Sequence, residues 1–224
     1  MQQLLPVLAP ILFSATFLIV IVFVILYQKK KERERTEAMR SVANFLQWNF
    51  VDVAPWNMIT NLDYFTLFNQ GHSKQIKNFM YGEANGVKAA MFDYIYVTGS
   101  GKNRTTHFQT VTYLEPANLR TPYFTLRPEG FFTKIMTAFG YQDIDFGQRP
   151  EFSKQYLLRG QDEMAIRQTF NDQLLSFFET YQGTSVDAGN NQLFVFRAGY
   201  RCQPQEAQNQ LALALNILNL LPRF

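Results

Sequence analysis

From Met1 to Gln28 the chain carries no charged side chain, and the next seven residues, Lys29 to Arg35, are all charged. No other feature constrains the fold as strongly. Ile11 to Tyr27 is almost wholly apolar. A helix from about Leu4 to Tyr27 would rise roughly 36 Å, enough to cross a hydrocarbon core of about 30 Å. Pro6 and Pro10 fall in its first turns, where a missing N–H costs least. A cleaved signal peptide would need a basic start and a small-residue cleavage site. Met1-Gln2-Gln3 carries no charge, and the apolar run ends in Gln28-Lys29-Lys30-Lys31. The sequence therefore predicts an uncleaved transmembrane anchor over residues 1–28 and a basic juxtamembrane stalk over residues 29–41. Residues 42–224 are left to form a domain.

Charge supplies an orientation. Lys29, Lys30, Lys31, Arg33 and Arg35 stand against Glu32 and Glu34, a local excess of three that equals the whole chain's +3. Basic flanks stay cytoplasmic, so a single-pass protein of a bacterial inner membrane is expected, N-terminus outside and domain cytoplasmic. Tyr27 and the five basic residues are the expected membrane interface. The collar either sets topology alone or also attracts anionic lipid at about 1 kcal/mol per basic residue. With the remainder neutral, a nucleic-acid face is not expected. Cys202 is the sole cysteine, so no intrachain disulfide can form, in keeping with a reducing compartment.

The rest reads as one α+β domain, an antiparallel sheet packed by helices. Helix formers continue from Lys29 to about Trp48, with Pro55 as the expected stop. Strands are expected at Gln75–Tyr81, Val87–Thr98, Thr105–Leu114 and Pro122–Leu126, joined by short glycine-rich turns. Phe131, Phe132, Ile135, Met136 and Phe139 share a helical face before Gly140. Asp162 opens a second helical pattern that runs through Ile166, Phe170, Leu174, Phe177, Phe178 and Tyr181. Val186 to Phe196 reads as strand, turn and strand. Pro204 can open a last helix, apolar nearly all round, whose Leu213, Ile217 and Leu220 are a candidate face for a partner.

Three blocks carry a resemblance: Phe92-Asp93-Tyr94-Ile95-Tyr96-Val97-Thr98-Gly99-Ser100-Gly101-Lys102; Leu126 to Ile135; and Phe139 to Phe146 with Pro150 to Ser153 and Tyr156 to Gly160. Together they resemble an uncharacterised family of bacterial proteins with one N-terminal span. The resemblance implies that layout and no activity.

Catalytic signals are sparse. Gly99-Ser100-Gly101-Lys102 lacks the first glycine and the final Ser or Thr of a phosphate loop, and it joins two strands where such a loop needs a helix. Asp143, Asp145 and Glu151 are the best carboxylate group: an extended 142–146 segment would put both aspartates on one face, where they could recruit a cation. A solvated turn with Ile144 and Phe146 facing the core is the alternative. His72, His107 and Cys202 offer no metal-ligand spacing, and no cofactor is expected. The 22 Phe, 11 Tyr and 2 Trp could line an apolar pocket or simply fill the core. The leading expectation is a non-enzymatic, membrane-anchored interaction or assembly module with the bilayer and a protein as partners. The alternative is a lipid or small apolar ligand-binding domain at the membrane surface, and a carboxylate-site enzyme stands third.

Overall fold

A computed structural model describes the backbone of residues 5–131 and 142–222, and the side chains from residue 16 onward except residue 131. Its first element, α1 (Leu5–Phe45), is a helix of 41 residues. From Ile11 to Phe45 there is neither Gly nor Pro, so nothing in that stretch breaks the backbone ladder. Lys30 and Glu34 pair at i,i+4 (3.8 Å) on its exposed side. Its buried side carries Met39 and Ala43, both fully inaccessible, one turn apart. The helix stops well before Pro55: Gln47 adopts a left-handed φ of 57°, and Trp48 N–H reaches back to Ala43 O at 2.8 Å. The reversal frees residues 49–54 to become a strand.

Eight strands form one sheet: β1 (Asn49–Ala54), β2 (His72–Ala84), β3 (Val87–Thr98), β4 (Thr105–Glu115), β5 (Phe124–Pro128), β6 (Tyr156–Gly160), β7 (Ser185–Gly189) and β8 (Gln192–Phe196). Their spatial order is β1-β2-β3-β4-β8-β7-β5-β6, and every described pair is antiparallel. The short helices are α2 (Thr66–Asn69), α3 (Pro150–Gln155), α4 (Glu163–Thr169) and α5 (Asp172–Thr180), and α6 (Ala207–Leu220) closes the chain.

Two cores lie on opposite faces of this sheet. On one, Met39 and Ala43 of α1, the apolar side of α6 and residues of α3 to α5 pack over Met91, Leu114, Leu126, Leu158, Val186 and Val195. On the other, residues 54–68 cover Phe92, Tyr94, Tyr96, Val111, Tyr113, Phe194 and Phe196. Strand alternation makes the division: in β3, Ala89 and Met91 face the first core while Ala90, Phe92, Tyr94 and Tyr96 face the second. Side chain meets backbone closely at Gly82, where a Cβ would lie 2.4 Å from the Trp48 ring.

Several expectations need correction. No helix among the described residues is long and apolar enough to cross a membrane. From Thr16, where side chains are first described, to Tyr27 the apolar run rises only about 18 Å, against a hydrocarbon core of about 30 Å. The earlier part of the expected anchor lies outside the described side chains. The transmembrane helix, the single-pass layout and the inner-membrane placement with a cytoplasmic domain all rested on that span and fall with it. The helix expected over Phe131 to Gly140 lies largely outside the described residues. The long pattern after Asp162 is broken into α4 and α5 at Phe170, because Asn171 starts a new helix with its own cap, Oδ1 accepting from Leu174 N at 3.0 Å. Residues 142–146 belong to no strand; β1 and β6 were not expected.

Candidate functional site

The middle of β3 is a continuous run of strand formers with one acid in it, Asp93, which is fully buried. Alternation points Asp93 to the side of the sheet where α1 lies, and its register neighbours are Lys77 on β2 and Thr110 on β4. Five donors converge on its carboxylate: Arg35 Nε (2.7 Å), Arg35 Nη2 (2.7 Å), Asn78 Nδ2 (2.8 Å), Thr110 Oγ1 (2.8 Å) and Arg201 Nη2 (3.0 Å). The fork from Arg35 is bidentate, the strongest geometry for such a pair. Arg35 also donates from Nη1 to Cys202 O at 2.9 Å, and Thr110 Oγ1 accepts from Cys202 N at 3.0 Å. Arg201 in turn grips Glu32 of α1, at 2.7 and 3.0 Å. Asn78 takes the left-handed φ (50°) that a β-bulge in β2 requires, and its Oδ1 accepts from Thr36 of α1. These side chains clasp α1 to β2, β3, β4 and the segment after β8.

The electrostatics favour the charged form of the clasp. Burial opposes ionisation of Asp93, but Arg35, Arg201 and Asn78 outweigh it and hold the carboxyl below the usual range. Arg201 likewise holds Glu32 low, against partial burial and with Lys77 adding to the effect. A second buried pair, Arg127 with Asp187 (2.5 Å), lies on the opposite face. There Arg127 stacks 4.9 Å from the Phe196 ring, and Asp187 accepts from Leu67 N at 3.1 Å.

Directly beside the clasp is an open groove of about 590 Å³. One wall is apolar: Tyr27 of α1, Ile95 of β3 and Phe108 of β4. The rim is cationic: Lys31 of α1, Lys77 of β2 and Arg201. A shallower groove of about 420 Å³ continues along α1 past Lys31, Glu32 and Arg35. Alternate residues of the segment after β8 serve different clefts. Gly199 and Arg201 line this groove, while Tyr200 and Cys202 line a smaller one of about 260 Å³ against α6. Above the groove, Phe17 to Tyr27 of α1 are exposed large hydrophobics, Phe23 at 68% and Tyr27 at 53%.

The other expected residues scatter. Asp143 Oδ1 accepts from Leu158 N at 2.9 Å, and burial, with Asp145 adding, raises its carboxyl above the usual value. Glu151 pairs with Lys154 at 3.0 Å. No group of three potential metal ligands occurs among the described residues. His72 bonds Gly99 O, while His107 stacks on Tyr96 and bonds Thr98. Cys202 is buried in the core on the α1 face, so the three form no site. Of the candidate partner face, Ile217 is fully buried, while Leu213 and Leu220 pack against the same core but stay partly exposed, Leu213 lining the smaller cleft. The aromatic residues of β3 and β8 pack on Phe65 and Phe68, ring against ring. Of the collar, Lys31 reaches the groove and Arg35 the clasp. Lys29, Lys30 and Arg33 stay exposed on α1. Asp93 and Arg201 were missed, although a lone acid inside an apolar strand is a readable sign of a buried ionic partner.

No protein-family model and no curated protein matches the chain. Among solved structures, it is similar to the crystal structure of the mycobacterial trehalose monomycolate transport factor A, TtfA. The TM-score is 0.61 at 13% identity, over 86% of this chain and 98% of that one. At that identity the likeness concerns the fold.

Proposed function

We propose that this chain is a lipid-handling domain that takes up an amphiphile at the foot of α1. The observation that carries the reading is the groove. An apolar wall of Tyr27, Ile95 and Phe108 stands against a cationic rim, the two chemistries an amphiphile presents to a protein. The exposed hydrophobics of α1 lead into it. The clasp gives the wall a fixed geometry, because Arg35 and Glu32 tie α1 to the sheet. Similarity in fold to a protein named as a trehalose monomycolate transport factor supports the same reading.

The test is direct. The full-length chain is purified in a nonionic detergent, its bound lipids are extracted, and native mass spectrometry counts ligands per chain. The expected result is about one retained amphiphile per chain. A chain free of lipid that also binds none at saturating concentrations would sink the proposal.

A further inference from the structure

The groove discriminates by charge. Its rim holds three cations, Lys31, Lys77 and Arg201, and one carboxylate, Glu32. The carboxylate is already engaged, since both its oxygens accept from Arg201. Arg201 is equally committed, with Nη2 shared between Glu32 and the buried Asp93. Lys31 and Lys77 have no ion-pair partner within 4 Å among the described residues. Two ammonium groups without a close ion-pair partner, Lys77 acting on Glu32 only at longer range, therefore line one concave, partly apolar wall, where an anion is attracted more strongly than on an open surface.

The apolar part has a direction. Val20, Phe23, Tyr27 and Lys31 recur at three- and four-residue spacing and lie along one side of α1. Phe23 and Tyr27 stack, with ring centroids 6.5 Å apart, and Lys31 Nζ lies 5.8 Å from the Tyr27 ring. A single track thus runs from exposed hydrophobics to a cation. Phe108, 39% exposed, continues the apolar wall under the Arg201 guanidinium, 5.6 Å from its ring.

We propose that this groove is a receptor for an acidic amphiphile, its anionic head between Lys31 and Lys77 and its tail along Tyr27 and Phe23. The assignment rests on the lipid-handling reading and names its site and ligand class. A free inorganic anion would use the lysines but not the apolar track. A zwitterionic lipid would use the track but gain little from the lysines.

The full-length chain in nonionic detergent is presented with phosphatidylglycerol, with phosphatidylcholine of matched chains, and with inorganic phosphate, and binding is read by native mass spectrometry. Phosphatidylglycerol is expected to bind about tenfold or more tightly than phosphatidylcholine, the scale set by two basic residues at a lipid head. Lys31→Glu with Lys77→Glu should abolish that preference and leave phosphatidylcholine within about twofold. The milder pair Lys31→Gln with Lys77→Gln should weaken it in the same direction, so a folding defect in the first cannot produce the result. Tyr27→Ala should weaken both lipids alike. Equal binding of the two lipids, or a preference that survives both double variants, overturns the groove assignment while leaving lipid handling intact. Phosphate binding as tightly as phosphatidylglycerol overturns the amphiphile in favour of a free anion. Binding of neither lipid overturns the underlying reading as well.

Discussion

Replacing Asp93 by Asn keeps the shape of the side chain and removes its charge. The five donors then face a neutral amide, and one of its two ends presents hydrogens to Arg35, Asn78, Thr110 or Arg201. Removing one partner of a buried ion pair costs about 3–5 kcal/mol. The lower end applies here: Arg35 and Arg201 keep 13% and 18% of their side-chain surface in contact with water, and Arg201 retains Glu32. A loss of about 3 kcal/mol is therefore expected, equivalent to a fall in Tm of about 6–12 °C for a domain of this size. The loss depends on pH. Because the folded state holds the Asp93 carboxyl below its ordinary value, the folded chain binds that proton less readily than the unfolded chain. The stabilisation is complete above the ordinary carboxylate pKa of about 3.9 and fades as pH falls through the lower folded value. The assay is urea unfolding of wild type and Asp93→Asn at neutral pH and at successively lower pH. The gap should be about 3 kcal/mol at neutrality and should narrow with acidification. Amide exchange in residues 30–45 should accelerate first, since this is where α1 loses its attachment. A neutral-pH difference below about 1 kcal/mol, or exchange that accelerates evenly over the whole sheet, would refute the idea that this carboxylate holds α1 in place.

Other consequences are more local. Gly82→Ala puts a Cβ 2.4 Å from the Trp48 ring, which donates to Glu83 O at 3.1 Å. It should cost about 1–3 kcal/mol and shift tryptophan emission. At Gly86, φ is 75° with open space around it, so Gly86→Ala should cost only about 1 kcal/mol with emission unchanged. Loss of the α5 cap in Asn171→Ala should cost about 1 kcal/mol by denaturant unfolding, while Asn171→Ser should recover most of it. Magnesium or calcium at millimolar concentration should leave Tm unchanged, because Asp143 is bonded to Leu158 N and Glu151 to Lys154. A saturable rise in Tm would restore a cation site near those carboxylates.

Much of the sheet was readable from local signals. The strands over Val87–Thr98 and Thr105–Glu115, and the hairpin Ser185–Phe196, coincide with runs of β-branched and aromatic residues bounded by turn formers, and such signals act within a few residues. β1 and β6 escaped because each lies at an edge of the sheet and depends on a neighbour already in place. β6 pairs only with β5 among the described strands, and β1 only with β2. Burial is where local sequence is silent: Leu213, Ile217 and Leu220 share one face of α6, yet Ile217 is fully buried while Leu213 and Leu220 stay partly exposed, because an isolated helix gives no account of what packs around it.

By itself the sequence determined the long uninterrupted α1, the charged run from Lys29 to Arg35, and the alternation that sorts β3 into two faces. These follow from backbone propensity and from periods of 3.6 and 2, which need no partner to be read. Only the tertiary structure decided that Arg35, counted in sequence as one more collar residue, is drawn inward by Asp93 from 58 positions away, with Arg201 joining from the far end of the chain. The same folding left Lys31 and Lys77 outside the clasp, facing the groove. Pairing of charge is decided by distance in space, and residues remote in sequence become neighbours only when the sheet brings β2, β3, β4 and the segment after β8 under one helix.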